Sequence, residues 1–244
     1  MSPTRVRLRF AKLGKVRWTS HRDVARMWER AFRRVQFPLA YTAGFSPRPR
    51  VSFGLALPTG HESVAEYLDV EVMPQAQVDV DALPAVLSAA LPAGVDVLAA
   101  AAIDPLTPSL QEDVVACTWS WEVAAADGGP TAGEVAVGVE QLLAQPVAVV
   151  TRRRKGGEVT EDIRPAIVDL RAVRDGEPPR LEGELATRPL SPRPADVVAA
   201  LAPEWEARDV RRLNQWIWRD GARCEPLEWA PDATSAARPL ERAL

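Results

Sequence analysis

Apolar and basic residues alternate strictly along residues 4–11, TRVRLRFA. The two alternating sets are Val6, Leu8 and Phe10 and, between them, Arg5, Arg7 and Arg9. A period of two is typical of a β-strand with one buried and one polar face. We therefore predict a strand that carries three arginines on its polar side.

A second pattern, with the period of an α-helix, begins after Ser20. Serine caps helix N-termini well, and Asp23 three positions later completes a variant of the capping box. The apolar stripe that predicts an amphipathic helix over residues 20–36 consists of Val24, Met27, Trp28, Ala31, Phe32 and Val35. The other face carries arginines one turn apart, Arg22, Arg26, Arg30 and Arg34, with Arg33 beside them.

The rest of the first half predicts a ferredoxin-like unit. Strands are expected over residues 50–57, 63–72 and 94–103, and a helix over residues 79–92. Together with the first strand and helix, this gives the order β-α-β-β-α-β. In the strand over 63–72 we expect two faces, Leu68, Val70 and Val72 inward and Tyr67, Asp69 and Glu71 outward.

The second half repeats this order with one additional strand. After a linker at 104–112, the patterns predict strands at 113–125, 146–155, 163–173, 180–187 and 210–218 and helices at 131–145 and 191–203. We predict an α+β protein with two tandem ferredoxin-like units and antiparallel sheets. The predicted domains are residues 1–103, residues 113–218 and a C-terminal extension at 219–244 whose end is mobile.

Charge is distributed unevenly along the 244 residues. The net charge is −3, but residues 1–50 carry 13 lysines and arginines against two acidic residues. Such segregation is typical of a surface for a polyanion or for a docking partner. The alternative is pairing between the basic first part and the acidic remainder.

Several classes of function find no support in the sequence. There is no long apolar run, no apolar leader, and no nucleotide-binding, metalloprotease or hydrolase motif. The two cysteines lie far apart and only two histidines are present, so we expect no metal, no cofactor, no membrane and a cytoplasmic location. His21, close to Asp23, is a weak candidate for an acid or base.

The arginines suggest two anion-binding surfaces. Four guanidinium groups spaced one turn apart on the helix suit a phosphate backbone, although a solvated helix face is the alternative. The arginines of the first strand would lie mid-sheet on the open face that RNA-binding sheets use. Their alternative is a cross-strand ladder with Asp69 and Glu71.

The segment YTAGFSPRPRVSFG at residues 41–54 predicts a stiff binding loop. Its prolines restrict the backbone, while Gly44 permits a sharp bend. Tyr41 and Phe45 can stack on a base, and Arg48 and Arg50 can hold phosphates. The alternative is a rigid connection anchored in the core by Phe45 and Phe53.

Residues 17–70 resemble the radical-SAM-associated family of uncharacterised domains, whose members read SHLD…RALRRAGLPLAYSEGFNPHPRISF…PLPVG.ES..EYLD. The matching positions include Ser20, His21, Asp23, Leu39–Tyr41, Gly44, Phe45, Pro47, Pro49, Ser52, Phe53, Gly60, Glu62, Ser63, Glu66, Tyr67 and Asp69. Arg22 replaces a usual leucine, and Arg48 stands where histidine is common. This second departure weakens a catalytic role for the loop.

The resemblance implies a domain fused to, or encoded beside, B12-binding radical SAM proteins. Its genes often lie near those of an RNase E/G-type ribonuclease and of large-subunit ribosomal proteins. The chain lacks the C-x-x-x-C-x-x-C cluster motif, so it does not hold the radical chemistry itself. We therefore hypothesise a noncatalytic RNA-binding or substrate-recognition partner of a separate radical SAM enzyme, acting on RNA or a ribosomal component, with no DNA expected.

Two other hypotheses remain open. One is an RNA-processing or RNA-modifying enzyme that uses His21 as acid or base. The other is a protein-docking module whose basic face meets an acidic surface of the radical SAM partner.

Overall fold

The computed structural model describes residues 4–126, 128–154, 156–173, 177–219 and 221–227. These residues form a mixed α+β protein with mostly antiparallel strands and five α-helices. The chain divides into two compact units, Met1–Asp113 with Ile217–Leu244, and Val114–Trp216. No helix of the described part is long and apolar enough to cross a membrane.

The first unit contains the predicted order of elements. Its elements before the division are β1 (Arg5–Lys12), α1 (His21–Arg34), β2 (Val51–Phe53), β3 (Glu62–Glu71), α2 (Leu83–Ala90), β4 (Val95–Ala102) and α3 (Leu110–Asp113). A 3-10 turn at Gly14–Trp18 joins β1 to α1. The strands pair in the order β4-β1-β3-β2, all antiparallel.

The core of this unit lies between one sheet face and the two helices. The predicted apolar sides of β1 and α1 both enter it, and Leu68 and Val70 of β3 and Val72 just after it point inward as expected. Strand β2 is shorter than predicted. Its pairing with β3 ends at Phe53 and Leu68, one residue before Gly54. A side chain there would meet the Tyr67 carbonyl at 3.3 Å, the same carbonyl that accepts a hydrogen bond from the Gly54 N–H.

The second unit has its own sheet and helices. Its elements are β5 (Val114–Ala125), α4 (Ala132–Ala144), β6 (Val149–Arg154), β7 (Gly157–Asp162), β8 (Ile167–Val173), β9 (Arg180–Ala186), α5 (Pro194–Leu201) and β10 (Trp205–Arg219), whose last three residues belong to the first unit. The strand order is β10-β5-β9-β8, while β6 and β7 form a separate hairpin. Strand β7 was not predicted, because its sequence GEVTED carries no buried face.

The described part of the predicted C-terminal extension contains a short strand. Strand β11 (Ala222–Cys224) pairs with the end of β10 and belongs to the first unit rather than to a separate extension. Leu227 packs with Leu110 and with Tyr67 in a second apolar cluster, on the sheet face opposite the helices. The mobile end predicted for the extension falls in residues 228–244, which lie outside the described residues.

Candidate functional site

Helix α1 begins as its sequence predicts and fixes the direction of its side chains. The Ser20 hydroxyl accepts a hydrogen bond from the Asp23 N–H at 3.2 Å and donates to the Asp23 carboxylate at 2.6 Å. The serine hydroxyl also lowers the pKa of the Asp23 carboxyl group, with smaller contributions from Arg26 and Arg22. Because the cap sets the first turn, the apolar stripe is buried and the arginines face solvent.

The arginines of α1 are exposed, but they do not form a uniform row. Arg26 lies 3.7 Å from Asp23, and Arg34 donates to the carbonyl of Ala90. Arg22 and Arg30 form no ion pair with any described residue. The helix therefore presents positive charge that its own carboxylates leave largely uncompensated.

The loop after α1 is closed like a small hairpin. Tyr41 bridges to Pro49, and the Thr42 N–H donates to the Arg48 carbonyl at 2.9 Å. The Arg48 N–H in turn donates to the Thr42 hydroxyl at 3.0 Å. These contacts define a stiff loop that displays Phe45, which is fully exposed, at its tip.

The loop residues predicted to bind an anion differ in how they are paired. Tyr41 is half exposed, and Arg48 makes no side-chain hydrogen bond or ion pair with a described residue. Arg50, by contrast, forms an exposed ion pair with Glu71 at 2.9 Å. Phe45 does not anchor the loop, whereas Phe53 packs against the core.

A groove runs between α1 and the loop. It consists of two adjoining cavities of about 420 and 470 Å³ that share Glu29 and Pro49 in their walls. Arg48 lines the smaller cavity, and Arg33 and Tyr41 line the larger one. Arg22 lines neither cavity, but it precedes Ala25 and Glu29 of the cavity walls by three and seven residues on α1. We group it with Arg33 and Arg48 and call the three the groove arginines.

The floor of the groove is aromatic. Trp28 lines the smaller cavity and Phe32 and Phe37 the larger one. The ring centres of Trp28 and Phe32 lie 5.4 Å apart, and those of Phe32 and Phe37 lie 5.2 Å apart. Trp28 and Phe32 are almost fully buried, so the accessible aromatic surface of the groove is the half-exposed ring of Tyr41. An exposed aromatic ring beside guanidinium groups suits a planar, anionic ligand.

The arginines of β1 do not lie on an open surface, and that expectation was wrong. Arg7 is 1% exposed and binds Asp69 at 2.7 Å, and Arg5 binds the same carboxylate at 2.6 Å. Arg9 pairs with Glu225 at 2.5 Å. The face is covered because α3 and residues 225–227 pack on it, and Arg7 also donates to the Pro226 carbonyl.

The ladder alternative is found in part. Asp69 does accept from two β1 arginines, and its partner across the strands is Arg7. Glu71, the other expected partner, pairs with Arg50 of the loop instead. Tyr67 and Asp69, predicted to face outward, are both buried beneath the same covering segments.

A second polar site in the first unit was not predicted. A cavity of about 20 Å³, large enough for one water molecule, is lined by Lys12, His21, Glu66 and Tyr67. Lys12 is 3% exposed, and its ammonium group donates to the carbonyls of Thr19 at 3.0 Å and Arg17 at 3.4 Å. Burial lowers the pKa of Lys12, and the charge of Glu66 partly offsets this.

Lys12 was missed because it directly follows the alternating pattern of residues 4–11. It therefore looked like an ordinary polar residue at the end of a predicted strand. Glu66 was noted through the family motif, Tyr67 through the motif and as an outward strand residue, and His21 through the motif and as a weak acid or base candidate. The rings of His21 and Phe53 meet in a T-shaped contact, with 5.1 Å between ring centres, and the exposed His21 is the solvent-facing member of the cavity wall. The motif signal at Ser20–His21 and at Glu66–Tyr67 was therefore the clue to this site.

The fold and groove define a mixed α+β protein with a basic, aromatic-floored groove in its first unit. The family described as "Uncharacterized protein conserved in bacteria (DUF2344)" matches residues 5–190, and the chain belongs to this family. A comparison with curated proteins finds no match.

One similar solved structure is titled "Crystal Structure of a Cbf5-Nop10-Gar1 Complex". The similarity has a TM-score of 0.45 and 9% identity over 87% of this chain. It covers 49% of the other chain, so the protein spans about half the length of that relative.

Proposed function

We propose that this protein is a noncatalytic partner of a separate radical SAM enzyme. It binds RNA or recognises the substrate, and the pair acts on RNA or a ribosomal component. The radical SAM partner rests on the resemblance of residues 17–70. RNA binding rests on the groove. The observation that carries it is the set of three exposed groove arginines, which form no ion pair with a described residue.

Electrostatics supports an anionic ligand at this place. Ion pairs within the first unit neutralise the β1 arginines, but they leave the groove arginines charged. A polyanion gains affinity by releasing counterions when arginines replace them. Aromatic side chains beside those arginines favour nucleic acid over a simple polyanion, because bases stack on them.

The order of the strands supports a more specific proposal about the fold of each unit. The first unit has the order β4-β1-β3-β2, and the second has the equivalent order β10-β5-β9-β8 once the hairpin β6-β7 is set aside. We propose that both units are ferredoxin-like, with the hairpin inserted in the second.

The test is fluorescence anisotropy with a labelled RNA oligonucleotide of mixed sequence at low ionic strength. The triple substitution Arg22→Ala, Arg33→Ala and Arg48→Ala should weaken binding by about tenfold or more. The control is Arg171→Ala with Arg208→Ala, two exposed arginines of the second unit, which should change affinity by less than about twofold. Absence of binding by the wild type would reject RNA binding and favour a docking surface for the partner protein.

The cavity beside His21 favours a second candidate function, an RNA-processing or RNA-modifying enzyme. A buried lysine with a lowered pKa, a histidine and a carboxylate around a water-sized cavity are groups that can transfer protons. Purified protein would be incubated with end-labelled RNA and products resolved by electrophoresis and mass spectrometry. Turnover that is lost in His21→Ala while RNA affinity is kept would establish this candidate; absence of any product would reject it.

A further inference from the structure

We propose that the groove of the first unit is a site for unpaired nucleotides, whose bases enter the two cavities while their phosphates stay at the arginine-bearing rim. The inference rests on the proposed function. The inference specifies the class of RNA that the groove binds, namely single strands, loops or bulges rather than duplex.

The size and shape of the cavities favour a base over a duplex surface. Both volumes lie within the range of about 300–1,000 Å³ that is usual for small-molecule sites. In an A-form duplex the bases are stacked and paired, so they do not enter such cavities, whereas unpaired bases can be splayed out and bound. Trp28, Phe32 and Phe37 back the two cavities from the core, and the half-exposed ring of Tyr41 in the larger cavity is the one available for stacking on a base.

Two polar groups of residues that line the cavities, one buried and one exposed, lack partners in the described structure. The indole N–H of Trp28, in a side chain that is 1% exposed, has no hydrogen-bond acceptor in the structure. The carboxylate of Glu29 borders both cavities and forms no hydrogen bond or ion pair with a described residue. One group donates and the other accepts, and bases carry carbonyl oxygens and amino groups that complement them.

Glu29 also separates the base from the phosphate. It is the one acidic residue among those that line the two cavities, and its charge disfavours a phosphate on the floor. Arg48 and Arg33 stand in the walls on either side of it. A nucleotide is accommodated with its base inward and its phosphate against these guanidinium groups.

The experiment compares the affinity for a single-stranded RNA with that for a blunt duplex of the same sequence. We expect the wild type to bind the single strand about tenfold or more tightly. Ala25→Phe fills the smaller cavity without changing any charge and should remove most of this preference while leaving duplex affinity unchanged. Ala199→Phe, at an exposed position of α5, is the matched control and should keep the preference.

A second variant keeps the proposal testable if Ala25→Phe impairs folding. Tyr41→Ala removes a half-exposed ring from the larger cavity and should weaken single-strand binding several-fold with no effect on the duplex. Equal wild-type affinity for both RNAs, or a preference that survives both variants, would overturn the base site. If the base site is overturned but the arginine substitutions still weaken RNA binding, the proposed function stands. Absence of all RNA binding would reject both the base site and the proposed function.

Discussion

The arginines of β1 lie among carboxylates, whereas the groove arginines face solvent. Arg5 and Arg7 share Asp69, and Arg9 has Glu225. Arg22, Arg33 and Arg48 have no such partner among the described residues. A basic residue therefore indicates a binding surface only when the fold leaves its charge uncompensated.

The two sets should therefore respond oppositely to substitution. Removing a partner from the β1 set leaves a buried charge, so the cost appears in folding. Removing a groove arginine leaves nothing unsatisfied, so the cost appears in binding. The following predictions address this difference in order of decreasing effect.

The largest effect is expected for Asp69→Ala. It removes the carboxylate that holds Arg5 and the fully buried Arg7, and breaking a buried pair in this way costs about 3–5 kcal/mol. Urea unfolding followed by circular dichroism measures the change. Asp96→Ala, at an exposed position of β4, is the control and should change stability by less than about 0.5 kcal/mol. A loss for Asp69→Ala as small as the control's would mean that Arg7 does not need this partner.

A moderate effect that depends on pH is expected for Lys12→Met. Because burial lowers the pKa of Lys12 from 10.5, the folded state carries the charged form at a cost below that lowered pKa. The cost disappears as pH rises from the folded pKa towards 10.5, since the unfolded chain then binds more protons. The stability of the wild type relative to Lys12→Met should therefore increase across this interval. A difference that is independent of pH would contradict burial of the charged lysine.

The smallest effect on stability is expected for the groove arginines. Each alanine substitution there should alter the free energy of unfolding by no more than about 0.5 kcal/mol, because exposed arginines without an ion pair contribute little. Arg33 donates one exposed hydrogen bond to the Glu29 carbonyl at 3.3 Å. On α1 the loss of like-charge neighbours offsets the loss of the side chain. Thermal unfolding of the three single variants measures this. A marked destabilisation would show that these arginines have a structural partner.

Local patterns in the sequence were sufficient for the elements that depend on local physics. Ser20 caps α1, the alternation of Val6, Leu8 and Phe10 places β1, and the element order of the first unit follows. The covered face was not predictable in this way. Asp69 lies 62 residues from Arg7 and Glu225 lies 216 residues from Arg9, so no local pattern pairs them.

The candidate groove was predictable in composition but not in shape. Tyr41 and Arg48 were proposed from their residue types and the prolines around them, and Arg22 from the row of arginines on the helix. The cavities and the aromatic floor depend on how the loop folds back on α1, which the alternation of polar and apolar positions does not specify. Arg33 was therefore named only in passing, although it lines the larger cavity.

The most direct test of the central claim is the salt dependence of RNA affinity for the wild type and for the triple variant of the groove arginines. For the wild type we predict that the logarithm of the affinity falls linearly with the logarithm of the salt concentration. For the variant the slope should be shallower by about 2, because each of the three lost phosphate contacts on a single strand contributes about 0.7. Equal slopes for the two proteins would place RNA elsewhere and contradict the assignment of the groove.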